Sequence, residues 1–168
     1  NDIVPSLIRM AEDLTSSRRP VRVTYEGEAG SVGAAVATPL AVVLTELLQN
    51  AAEHAFPDDP AAEPQPGAAP GSGGLPAPVL IHVTLRRAAD ALHVEVGDNG
   101  AGLPEGFSIE ATASLGLSIV RGLVESQLGG TIAMCSGPGH SGPGHSGPGT
   151  VVSVDVPLDR PSEPAGDL

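Results

Sequence analysis

The sequence predicts an α/β fold, a two-layer α/β sandwich in which a mixed sheet is covered on one face by three helices. Apolar residues recur at helical spacing in some segments and alternate in others, with sharp turn signals between them. The resulting order is helix, strand, helix, hairpin, helix, hairpin, which buries every apolar face if the helices gather on one side of the sheet. Neither a GxxxxGKS/T loop nor a glycine fingerprint after the first strand is present, which argues against the P-loop and Rossmann alternatives.

Ile3, Leu7, Ile8, Met10, Ala11 and Leu14 mark an amphipathic helix over residues 3–16, ended by Arg18 to Pro20. Val21, Val23 and Tyr25 alternate with Arg22, Thr24 and Glu26 as a half-buried strand. A second helix is expected to start at Thr38, capped by its hydroxyl with Pro39 in the first turn, and to end at Phe56 before Pro57. Its buried stripe is Leu40, Val43, Leu44, Leu47, Leu48, Ala51, Ala52 and Ala55. Val79 to Leu85 and Leu92 to Val96 alternate around a turn at Ala88 to Ala91, an antiparallel hairpin. The third helix spans Leu115 to Leu128, with Ile119, Val120, Leu123, Val124 and Leu128 inward and Gly129 and Gly130 supplying positive φ at its end. Strands at 131–136 and 150–157 close the fold. Residues 1–158 read as one domain with a disordered Pro/Ala/Gly insertion at 57–78, a flexible repeat loop at 137–149 and a polar tail at 159–168.

Composition narrows the function. Lys and Arg total 8 against 20 Asp and Glu, a net charge of -12, which argues against nucleic acid or an anionic membrane as a general partner, since these call for a basic patch. It does not exclude a polyphosphate held by backbone amides and a metal ion. The single cysteine, Cys135, rules out an intrachain disulfide and a thiolate zinc cluster, and fits a reducing, cytoplasmic setting. No continuous apolar run long enough to span a bilayer stands out, so no direct membrane contact is expected. The opening Asn1-Asp2 reads as the start of a piece of something longer. With one Tyr, two Phe and no Trp, any flat ligand must lie between aliphatic walls. His140 and His145 in the Gly-Pro repeat form a poor metal site, lacking an acidic or thiolate companion.

Three polar clusters sit in apolar surroundings. Glu46, Asn50 and His54 are spaced by four and share one helix face. An amide oxygen at Asn50 suits Mg²⁺ without adding charge, and Glu46 could orient a water or an acceptor; a plain solvated stripe is the bland alternative. GDNGAGL, residues 97–103, follows a strand and carries one charge, Asp98, beside Gly100, Gly102 and Leu103. Its carboxylate could accept from an exocyclic amine, although an Asx-Gly turn would look the same. Ser114, Leu115, Gly116 and Leu117 open the third helix, where free amides attract phosphate.

Taken together, TELLQNAAEHAF (45–56), DNGAGLP (98–104) and SLGLSIVRGLVESQLGG (114–130) resemble the N, G1 and G2 boxes of the histidine-kinase-type ATPase superfamily shared with gyrase, Hsp90 and MutL. GTVVSVDVPL (149–158) is similar to its closing strand. The short G1–G2 link looks like the soluble HisKA_2 and HWE kinases. The resemblance implies a Bergerat-type sandwich that binds ATP and Mg²⁺ as the catalytic domain of a two-component sensor histidine kinase. It implies Asn50 as the metal ligand, Glu46 and Asn50 as catalytic residues, and Asp98 at the adenine amino group. Asn50, His54, Gly100, Gly102, Leu103, Ser114, Leu115, Gly116, Leu117 and Thr150 would complete the nucleotide site. The implied partners are an upstream histidine-containing dimerisation domain, absent from this piece, and a response regulator. The parent would then be a homodimer and the piece a monomer that binds ATP without autophosphorylating. Glu53 stands where kinases often carry Lys or Arg, Thr112 to Leu117 lacks two glycines of GTGLGL, and Phe107 is a minimal F box. Two other readings stay open: an anti-sigma-type serine-protein kinase of the same superfamily, and a degenerate, non-catalytic interaction domain.

Overall fold

The computed structural model describes residues 21–55, 78–111, 114–137 and 148–158. The helix expected at 3–16, Phe56, the insertion over 57–77, Thr112, Ala113, repeat residues 138–147 with both histidines, and the tail from 159 lie outside the described residues. The elements are β1 (Val21–Gly27), α1 (Ala34–His54), β2 (Val79–Arg87), β3 (Ala91–Asp98), α2 (Leu115–Gly122) continuing as a π-helical turn over Leu123–Leu128, β4 (Thr131–Ser136) and β5 (Thr150–Pro157).

The strands form one mixed sheet in the order β1-β2-β3-β5-β4. β1 and β2 are parallel, as expected of a strand pair joined through a helix, and the other neighbours are antiparallel. Alternation sends Val83, Val96, Val152 and Met134 to one face in a single cross-strand row. α1 and α2 pack on that face, so the sandwich is a mixed sheet with these two helices on one side. Val120 and Val124 of α2 and its extension are fully buried against it, each burial contributing about 1.5–3 kcal/mol. The opposite face is polar, with Thr24, His82, His93 and Asp155 on it; His93 Nδ1 lies 2.8 Å from Asp155 Oδ1.

Several local expectations change. α1 begins at Ala34, ahead of Thr38, behind the N-cap Gly33, whose carbonyl accepts from the amides of Val36 and Ala37. Thr38 therefore caps nothing, and Pro39 lies inside the helix. Pro39 is tolerated because the carbonyl it would have paired belongs to Ala35, an exposed residue of the first turn. The expected α1 stripe is buried throughout, from Leu40 to Ala55. Tyr25 is 48% exposed because β1 is an edge strand with little above its far end. Ile119, expected inward, is 42% exposed, and Leu117 takes its place in a stripe running Leu117, Val120, Val124, Leu128. Gly129 ends the helix at φ 62, whereas Gly130 has no positive φ and is needed for space, since a Cβ there would lie 2.1 Å from the Asp155 carbonyl. α1 also meets the length and composition of a membrane-crossing helix, unlike the sequence expectation. Its apolar stripe is nevertheless the core of the sandwich.

Candidate functional site

Between α1, the ends of β3 and β5, and the start of α2 lies a cavity of about 360 Å³. Its position follows from the strand pattern. Leu92, Val94 and Val96 of β3 point inward, and the next inward position is Asp98, at the last residue of the strand. A carboxylate thereby replaces an aliphatic side chain where the helical layer stops covering the sheet.

Asp98 is 6% exposed. Its Oδ1 accepts from the Gly100 amide at 2.7 Å and from the Thr150 amide at 3.2 Å. Burial raises its pKa above the ordinary carboxylate value, a shift opposed by these two amides and by the Thr150 side chain. The Asx-turn expected as the bland alternative is thus present, and a second amide from β5 adds to it. Gly100 cannot be replaced without disruption: a Cβ there would lie 2.1 Å from the Ala55 carbonyl, and the neighbouring Ala101 amide donates to that carbonyl at 2.7 Å. The glycine loop is therefore seated on the end of α1. Gly102 has φ +80 and Leu103 follows as a wall residue.

At the other end, Asn50 and His54 of α1 line the cavity. Asn50 Nδ2 is buried without a hydrogen-bond partner, an arrangement that costs about 1–3 kcal/mol. Gly116 brings the α2 backbone against this corner, since a Cβ there would meet Glu46 Oε2 at 2.9 Å and Asn50 Oδ1 at 4.0 Å. Ser114 is the N-cap of α2 and makes no side-chain cap bond. Glu53 turns along the helix and accepts from Gln49 Nε2 at 3.0 Å. No group of three His, Cys, Asp or Glu able to hold a metal occurs among the described residues. One neutral amide oxygen beside one acid therefore fits a hard cation that takes most of its ligands from phosphate and water, as Mg²⁺ does.

The fold thus brings Asn50, His54, Asp98, Gly102, Leu103, Ser114, Leu117 and Thr150 onto one cavity wall. Gly100 packs behind that wall, and Glu46 and Gly116 flank Asn50. Leu115, expected among the binding residues, is 76% exposed and is not part of the wall, because the first residue of α2 turns outward. Phe107 lines the cavity, as do Met134 and Val152, which the motifs do not single out. Strand alternation in β4 and β5 was the available signal for those two.

The family of histidine kinase-, DNA gyrase B- and HSP90-like ATPases matches residues 35–160. The sensor histidine kinase PdtaS of Mycobacterium tuberculosis is 39% identical over 134 residues, covering 80% of this chain and 24% of that protein. PdtaS of Mycolicibacterium smegmatis is 37% identical over 165 residues, 98% of this chain and 28% of that protein. The chain thus spans about a quarter of the length of the curated relatives it matches. A solved histidine kinase domain from the Erythrobacter litoralis blue-light activated histidine kinase superposes with a TM-score of 0.65 at 25% identity, covering 92% of this chain and 64% of that one. Sequence motifs, sheet topology and cavity agree with these similarities, and the chain belongs to the histidine kinase-, DNA gyrase B- and HSP90-like ATPase family, whose members bind ATP and Mg²⁺.

Proposed function

We propose that this chain binds ATP with Mg²⁺ in the cavity and serves as the catalytic domain of a cytoplasmic two-component sensor histidine kinase. The γ-phosphoryl group would pass to a histidine on an upstream dimerisation domain, and from there to a response regulator, in a homodimeric parent. The observation that carries this reading is Asp98: a buried carboxylate at the floor of an aliphatic cavity, held by two backbone amides. Such a group is expensive to bury without a donor, and an adenine amino group is a donor of the right kind. Val96, Leu103, Met134 and Val152 supply flat aliphatic contact where aromatic rings are lacking.

Asn50 would hold Mg²⁺ through its amide oxygen, with Glu46 beside it. Mg²⁺, when bound, neutralises phosphate charge. The amides at the start of α2 would face the phosphates, and Glu46, beside Asn50, would orient an incoming imidazole. Catalysis then rests on positioning and charge stabilisation.

Calorimetric titration of the chain with MgATP and with MgGTP tests the reading. Binding of MgATP in preference to MgGTP is expected, since the guanine edge presents an oxygen where adenine presents its amine. No binding of either nucleotide overturns the proposal in favour of an interaction domain. Phosphorylation of the full-length protein on histidine, and none of the isolated chain, is the expected companion result.

A further inference from the structure

We propose that Ser136 is a positioning residue for nucleotide binding: its hydroxyl latches the glycine loop to the base of the β4–β5 hairpin, fixing where the cavity wall begins. The inference rests on the ATP reading above. The β3–β5 ladder ends at the pair Gly97 and Val151, and the β4–β5 ladder at Ser136 and Thr150. Beyond those ends the two segments stay laced. The Thr150 amide donates to Asp98 Oδ1 at 3.2 Å, and the Gly149 amide to the Gly100 carbonyl at 3.0 Å. The Leu103 amide then donates to Ser136 Oγ at 2.7 Å. The Gly137 amide donates to the Pro148 carbonyl at 2.9 Å and closes the hairpin base itself.

These links are not equivalent. The second is backbone to backbone, so no side-chain substitution deletes it, and the first draws on the Asp98 carboxylate that the nucleotide reading already uses. The third depends on one hydroxyl, which also lies 3.5 Å from the Leu103 carbonyl and can therefore donate as well as accept. The chain passes close to it: a Cβ on Gly102, at φ +80, would sit 3.0 Å from Ser136 Oγ and 3.1 Å from the Gly149 carbonyl. Leu103 and Pro104 are cavity wall, and the next turn, Phe107 amide to Pro104 carbonyl at 3.1 Å, carries the Phe107 wall. Ser136 thus holds the hinge from which that wall departs. Because Ser136 is itself exposed, its hydroxyl contributes little to packing.

The near-isosteric pair S136V and S136T separates the hydroxyl from side-chain shape, and both suit a strand. Dissociation of a fluorescent ATP analogue with Mg²⁺ is measured by stopped flow, and amide exchange is followed at Leu103 and Ala101. In S136V, release is expected to be about fivefold to tenfold faster, the size of one net hydrogen bond. The Leu103 amide should lose protection while Ala101, bonded to Ala55, keeps it. S136T should restore both properties. Equal release rates for S136V and S136T overturn the latch, as does loss of protection at both amides together. If the parent chain fails to bind the analogue, the ATP reading falls, and the exchange pattern alone still decides whether the hydroxyl latches Leu103.

Discussion

The two ends of the cavity are built differently. At the Asp98 end, the carboxylate, the glycine loop and the hairpin base are bound to one another through backbone amides. At the Asn50 end, a buried amide nitrogen has no partner, and the α2 start rests beside Glu46 without a side-chain cap. One end is complete by itself, and the other carries a buried amide nitrogen whose cost a ligand would relieve. On the ATP reading, recognition of the base would be preorganised, whereas the phosphate end would gain its order on binding.

Substitution of Gly100 should give the largest effect, because a new Cβ would meet backbone and no flexible side chain. Gly100→Ala is expected to destabilise the chain by at least about 3 kcal/mol, read by denaturant unfolding. A small loss would show that the loop slides on α1, and the preorganised end would not be rigid.

Asp98→Asn comes next and should separate binding from stability. The Asn Oδ1 can still accept both amides, but its amino group would face the amine of adenine, and MgATP affinity should fall about tenfold to a hundredfold, or about 1.5–3 kcal/mol. The pH dependence has a definite sign. Burial raises the Asp98 pKa, so the folded chain holds that proton more tightly than the unfolded one. Its stabilising contribution is full below the ordinary value of 3.8 and is lost as pH rises through the raised folded value. Unfolding measured across that window should show the Asn variant gaining on the parent as pH rises. A variant with unchanged MgATP affinity would remove Asp98 from adenine recognition.

Asn50→Asp keeps the side-chain shape and adds charge beside the phosphates. Metal-free ATP binding should weaken about tenfold and recover as Mg²⁺ is added, since the new carboxylate is a stronger ligand for a hard cation. Identical Mg²⁺ responses in calorimetry would exclude Asn50 as a ligand. Gly116→Ala should be mildest. The added methyl comes too close only to the far end of Glu46, and Ala favours a helix over Gly by up to about 1 kcal/mol. Thermal stability should hold or rise while MgATP affinity drops about threefold. A larger loss would show that the phosphate end is as tightly built as the other.

What could be read from the sequence follows locality. The α1 stripe and the inward run Leu92, Val94, Val96, Asp98 come from period alone, because each depends only on its own segment. The N-terminus of α1 did not: it lies at Ala34, and Thr38-Pro39 looked like a better start than a glycine with no side-chain cap. Ile119 was misplaced because the π-helical turn after Gly122 belongs to a stripe beginning at Leu117. The contributions of Met134, Val152 and Ser136 were hidden for a different reason. Met134 and Val152 reach the cavity, and Ser136 the glycine loop, only through pairing between strands far apart in the chain.

Asn99, between Asp98 and Gly100, bears on the order in which the sheet assembles. Its side-chain oxygen accepts from the Leu80 amide at 2.8 Å, and its amino group donates to the Pro78 carbonyl at 3.2 Å. These bonds pin the open end of the β2–β3 hairpin across 19 and 21 residues, while the Ala88–Ala91 bond closes its turn. β1 joins that hairpin through a contact separated by 57 residues, and β5 joins it through contacts separated by 52 and 62. Loop closure favours the shorter span, so this hairpin is expected to close before β1 and β5 add to it. Asp98 is its last residue, so the carboxylate acquires its position while still hydrated. Its desolvation is deferred until α1 and β5 close over it, which places the energetic penalty of the site late on the folding path.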